Sequence, residues 1–228
     1  MHLISTLFSN VDVTEIAQAS LETLQMLGGS LFFTLLLGLP LGIALYLSAP
    51  GNLYASRRVY TLLSLAVNIL RSLPFIILLI VMIPLTLAMA GTSIGVPGAL
   101  PPLVAGATPF FGRMVENVLR EIDRELIEAS QTLGATTWQI IWRVLLPESK
   151  PGLIAASTVT AVALVGYTAM SGVIGGGGLG DLAVRYGYQR FETDVMVVTV
   201  VLLLILVYIL QTLGDRLVAR TSRKIARR

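Results

Sequence analysis

Five apolar runs, at 21–49, 59–90, 95–119, 151–173 and 195–214, set the terms on which this chain can fold. A helix needs about 20 apolar residues to cross roughly 30 Å of hydrocarbon, and all five runs reach that length. Only 13% of the residues are charged, against about a quarter in soluble domains, and 55% are hydrophobic. These features predict an all-α integral membrane protein with five transmembrane helices. The first two runs exceed one crossing, and Pro40, Pro74 and Pro84 point to kinks within them. No Lys or Arg precedes the first run and no small-residue cleavage site ends a short apolar core. Residues 1–20 are therefore expected to be retained as a segment outside the membrane.

Basic residues give the expected orientation. The loops at 48–60 and 119–150, with the tail after 214, collect twelve of the sixteen Lys and Arg residues. The opposite side receives only Arg185 and Arg190, while Arg71 and Arg113 fall inside spans. The positive-inside rule then places the N-terminus outside and the C-terminus in the cytoplasm, which an odd number of spans allows. Residues 21–214 form the transmembrane domain in this reading. Residues 215–228 form a basic tail suited to the membrane surface, without the aromatic interleaving that nucleic-acid binding would bring.

Several chemistries are excluded. There is no cysteine and one histidine, His2, so thiolate or imidazole metal sites and Cys or His catalysis are not expected. Neither Lys150 nor Lys224 sits in a phosphate-binding loop pattern, so ATP is not expected to bind this chain. The glycine-rich stretch 172–180, GVIGGGGLG, follows a membrane helix rather than a strand. It reads as a flexible turn or re-entrant segment on the outer side. Arg113 lies three residues before Glu116, one helical turn, so the two are expected to neutralise each other.

The loop at 120–150 is different in kind. It holds nine charged residues and both tryptophans between strongly apolar flanks. Leu126, Ile127, Ala129 and Leu133 recur near helical spacing, with Glu128 and Gln131 on the other side. Gly134 supplies a turn, and Thr136 or Thr137 caps a second short helix carrying Trp138, Ile141, Trp142 and Leu145, which Pro147 ends. Trp138 and Trp142 are one turn apart and face the same way. Two readings fit this pattern. One is a pair of amphipathic helices docking a partner groove through aromatic anchors; the other is an interfacial hairpin whose tryptophans only mark the headgroup layer.

The stretch EASQTLGATTWQIIWRVLLP at 128–147 resembles the EAA loop of bacterial ABC-transporter permeases, matching at Glu128, Ala129, Ser130, Gly134, Ala135, Val144, Leu146 and Pro147. Ser130 replaces the usual Ala, and Val144 stands where Ile is common. The resemblance, which covers about 21–216, implies a type I importer permease fold in which this loop couples to a separate ATP-hydrolysing subunit, with Trp138 alongside. NILRSLPFIILLIVMIPLT at 68–86, GTSIG at 91–95, ATPFFGRMVENVLREI at 107–122 and LVGYTAMSGVIGGGGLGDLAVRYGY at 164–188 are further similar to the methionine-import branch. That likeness implies a homodimer in the bacterial inner membrane, two cytoplasmic ATPase subunits holding ATP and Mg, and a methionine-binding protein outside. It implies no catalytic residue, cofactor or metal on this chain. The rival readings are a permease for another amino acid, and a channel or secondary carrier without an ATPase.

Pathway residues are sought in the fourth run. Small residues around 166–172 suit close helix packing, whereas Tyr167 and Met170, three apart, are candidates to line a pathway, a soft Met gate suiting a thioether cargo. Arg71, about ten residues into its span, must snorkel, pair or face water. It fits either a structural role or contact with a substrate carboxylate.

Overall fold

The computed structural model describes residues 12–225; His2, the start of the N-terminal segment and the last three tail residues lie outside them. Every regular element among the described residues is helical. Helix α1 (Val13–Ser48) opens on Asp12, whose carboxylate accepts from the Thr14 amide at 2.8 Å, and runs on through Pro40. It begins eight residues before the apolar run. The second run is broken into α2 (Arg57–Ser72), α3 (Phe75–Val81) and α4 (Ile83–Ala90). Pro74 precedes α3 and forces its neighbour out of helical geometry; Pro84 sits in the first turn of α4, where a missing N–H costs nothing.

Helix α5 (Gly95–Arg120) leads into the short α6 (Arg124–Thr132) and α7 (Thr137–Ile140), a π turn (Ile141–Leu145) and α8 (Leu146–Glu148). Helix α9 (Lys150–Ser171) follows, then a 3₁₀ turn, α10 (Gly178–Leu182), a second π turn (Ala183–Tyr188) and α11 (Thr193–Ile225). By length and composition three helices can cross a membrane: α1, α9 with its 3₁₀ extension, and α11. Helices α2 and α3 count as a fourth if taken as one broken span. The expected fifth crossing falls on α5, which has the length but carries Arg113, Glu116 and Arg120 toward its end.

The helices contribute to two compact units, each with its own core. The first unit comprises 12–33, Leu73–Ala107 and Ala161–Leu210. Its core joins Met26 and Leu27 of α1 to Phe75 and Leu79 of α3, Leu103 of α5 and Leu164 of α9. The second comprises Thr34–Ser72, Thr108–Thr160 and 211–225, and packs Tyr46, Phe111, Val115 and Leu119 against Ile127, Ile140, Ile141 and Leu145. Hydroxyls within the apolar helices turn back on their own backbone: Thr23, Thr160 and Thr199 each donate to a carbonyl four residues earlier.

Of the two forms expected for the glycine-rich stretch, a flexible turn or a re-entrant segment, its contacts argue against the first. In the first unit its amides are held by α1, Gly178 donating to Glu22 Oε2 at 2.8 Å and Leu179 to Thr23 Oγ1 at 2.9 Å. Gly180 packs so closely that a Cβ there would stand 2.3 Å from the Ala169 carbonyl oxygen. The glycines permit close backbone packing of this segment rather than mobility.

Candidate docking loop and translocation face

The segment 120–150 folds as two capped helices with almost no free chain between them. Asp123 caps α6, its carboxylate accepting from the Glu125 amide at 3.0 Å. The far end closes on Gly134 at φ +81°, with the Gly134 amide donating to Gln131 O at 2.9 Å and the Ala135 amide to Ser130 O at 3.0 Å. These two bonds are a Schellman closure, which favours glycine at the left-handed position. Thr136 then opens α7 with a capping box: its hydroxyl accepts from the Gln139 amide, and Gln139 Oε1 accepts from the Thr136 amide at 2.9 Å. One residue, Ala135, separates the closure from the cap. The turn is rigid because nearly every backbone donor in it is satisfied locally.

The hairpin buries one side and displays the other. Ile127, Ile140, Ile141 and Leu145 enter the second unit's core, with Ala135 and Leu146 packed beside them. Of the apolar residues that recur at helical spacing along α6, only Ile127 enters this core; Leu126 is exposed, and Leu133 is 88% exposed. Trp138 and Trp142 are also exposed, and their rings meet edge to face at 5.5 Å. Glu128 is exposed and pairs with Arg124 at 3.0 Å, while Ala129 lies open and Ser130 donates to Leu126 O. A cleft of about 460 Å³ runs beside α6, lined by residues 49–53 with Arg120, Arg124 and Glu128.

Pro147 does not end the second helix as expected. The Leu146 amide bonds to Ile141 O, five residues back, so the chain widens into a π turn just before the proline. Pro147 lacks an N–H and its ring crowds the carbonyl four residues earlier; the wider turn relieves both problems. Helix α8 thus carries Pro147 in its first turn and breaks at Ser149, directly before α9.

The expected Arg113–Glu116 pair is present, but it is half of a larger group. Glu116 is fully buried and takes one guanidinium on each oxygen, from Arg113 at 2.5 Å and Arg120 at 2.6 Å. Arg113 also donates to Ser64 Oγ at 2.7 Å and Asn68 Oδ1 at 2.9 Å, and Arg120 to the Tyr60 hydroxyl at 2.9 Å. Tyr60, Ser64 and Asn68 recur every four residues. That polar stripe on α2 was the unread sequence signal. Arg71 ends it, exposed, with its guanidinium 5.8 Å from the Phe110 ring centre.

The remaining pathway candidates lie in the first unit and part company there. Tyr167 stacks on Phe75, centroids 4.4 Å apart and planes 5° from parallel, and packs against the core. Met170 is 46% exposed, and Gly166 and Val173 beside it on the same side of α9 and its extension are exposed too. The structure therefore separates the two residues that spacing had put on one face. In the segment between α10 and α11, a hydrogen bond to Glu15 raises the Tyr186 pKa above its ordinary value, with nearby Arg185 and Arg190 pulling the other way.

A helical chain with apolar spans and a rigid, outward-facing polar hairpin has the parts of a transport subunit. It belongs to the family described as binding-protein-dependent transport system inner membrane component, which it matches over residues 16–227. Within that family it is similar to the methionine import system permease protein MetP of Bacillus subtilis, 48% identical over 91% of this chain and 94% of the relative. It is likewise similar to the probable D-methionine transport system permease protein MetI of Vibrio cholerae, at 44% over 90% and 92%. A solved chain of the MetNI methionine ABC transporter, in an inward-facing conformation, superposes with a TM-score of 0.90 at 49% identity, covering 92% of this chain and 97% of that one. A crystal structure of an amino acid ABC transporter, at 15% identity and a TM-score of 0.74, shares the fold.

Proposed function

We propose that this chain is the permease subunit of an ATP-driven methionine importer, forming the path across the bacterial inner membrane by alternating access. The observation that carries this reading is the capped hairpin at 120–150, exposed on its Glu128 and Trp138 side, in a chain nearly half identical to a methionine import permease across almost its whole length. An exposed aromatic pair costs solubility unless a partner covers it. The partner is an ATPase subunit, which holds ATP and Mg, and Glu128, Ala129, Ser130, Gly134, Ala135, Trp138, Leu146 and Pro147 form or support the surface it grips. Two such subunits serve a homodimer of this chain, and a methionine-binding protein delivers cargo from outside. Five spans carry the N-terminus outside and the C-terminus in the cytoplasm. Met170, outward-facing on α9, lines the path.

Copurification with the candidate ATPase, followed by ATP-dependent uptake in proteoliposomes, tests the reading. Methionine uptake supports it; uptake of a different amino acid only moves the substrate assignment. A chain that passes solute without any ATPase would be a channel or carrier, and the reading would fall.

A further inference from the structure

Glu116 is fully buried, belongs to neither the docking surface nor the pathway, and holds two arginines at once. A carboxylate costs several kcal/mol to take out of water, and the arginines offset this by meeting each oxygen separately. The same guanidiniums reach α2 through Tyr60, Ser64 and Asn68. Arg120 ends α5 and, with Arg124 and Glu128 of α6, lines the cleft beside the docking hairpin. One carboxylate thus ties α2 to the last two turns of α5, three residues before α6 begins.

We propose that Glu116 is a positioning residue that makes α2 and the docking hairpin move as one body, so that movement imposed on the hairpin by the ATPase reaches α2. The inference rests on the reading that an ATPase grips this hairpin. Without the carboxylate, Arg113 and Arg120 repel one another between α2 and α5, and the ladder to α2 has no centre. The hairpin itself, held by Asp123, Gly134 and Thr136, would keep its shape and still dock.

The test uses the assembled complex in proteoliposomes with Glu116→Gln, which keeps the shape and removes the charge. The expected result is normal copurification of the ATPase and continued ATP hydrolysis, with transport per ATP reduced roughly five- to a hundredfold, the usual range of a coupling free energy. The chain has no cysteine, so spin labels at Leu62 on α2 and Thr132 on α6, both exposed, report whether these elements move together. One sharp distance is expected across the ATP cycle in the parent, and a broadened one in Glu116→Gln. Exchanging the charges with Arg113→Glu and Glu116→Arg should restore part of the coupling. If Glu116→Gln does not fold, Tyr60→Phe, Ser64→Ala and Asn68→Ala together remove the side-chain partners on α2 and should uncouple in the same way. Unchanged transport per ATP in whichever of these variants folds, with an unchanged label distance, overturns the proposal. Glu128→Ala reports separately on the docking reading: if it loses the ATPase while Glu116→Gln stays fully coupled, docking stands and the role of Glu116 falls.

Discussion

Gly134 offers a clean measure of how much the shape of the hairpin matters to docking. Its φ of +81° lies in the left-handed region, and a Cβ built there would meet no atom within 4 Å. Substitution therefore costs conformational energy with no steric contribution. For an ordinary L-residue that cost is about 1–2 kcal/mol, whereas Asn adopts the same region more easily. If the ATPase accepts only the closed turn, its apparent affinity falls with the population of that turn, by at most roughly 5- to 30-fold for Gly134→Ala. A β-branched Gly134→Val should weaken binding further, and Gly134→Asn should stay near the parent. The assay is titration of detergent-solubilised permease with labelled ATPase subunit. The order Gly, Asn, Ala, Val is the signature of backbone strain. Equal affinities across the four would show that docking does not depend on the Schellman closure, and the argument would be wrong.

Thr136→Ala removes the hydroxyl half of the capping box and should cost the start of α7 about 1 kcal/mol, seen as roughly fivefold faster amide exchange at Gln139. Gly180→Ala pushes a methyl into the Ala169 backbone, which cannot rotate away, so thermal stability should fall by about 1–3 kcal/mol; an unchanged melting temperature would deny the tight packing. Single cysteines at Leu133 and Tyr188, both exposed, test orientation: in intact cells the first should resist an impermeant thiol reagent and the second react. Met170→Ala should raise ATP-independent leak while changing stability by less than about 0.5 kcal/mol, because the side chain is half exposed; a stable, tight and fully coupled variant would remove Met170 from the path.

Much of the helical framework was legible because lipid-length apolar runs allow few alternatives. The run at 151–173 corresponds closely to α9 (Lys150–Ser171), and Pro74 marks the break between α2 and α3. The caps of the docking hairpin were half legible. Thr136 was a candidate on residue type, and the Gln139 that completes its box stands at the required offset. The π turn before Pro147 was not, since a proline signals a disturbed ladder without saying whether the chain stops or widens.

The open apolar face of α6 carries the more general physical point. Helical periodicity states which side chains share a direction, and Leu126 and Leu133 do recur as a buried stripe would. It says nothing about which chain covers that stripe. In a subunit built to meet others, apolar residues at core-like spacing can be left open, and on α6 only Ile127 finds its own core. Ser64 and Asn68 show the converse: polar residues one turn apart within an apolar run are not simply solvated but accept from Arg113 of α5. In both cases the deciding partner lies far away in sequence or on another molecule. A polar stripe within an apolar run is therefore best read as one half of a bond, and on α5 its other half is organised around Glu116.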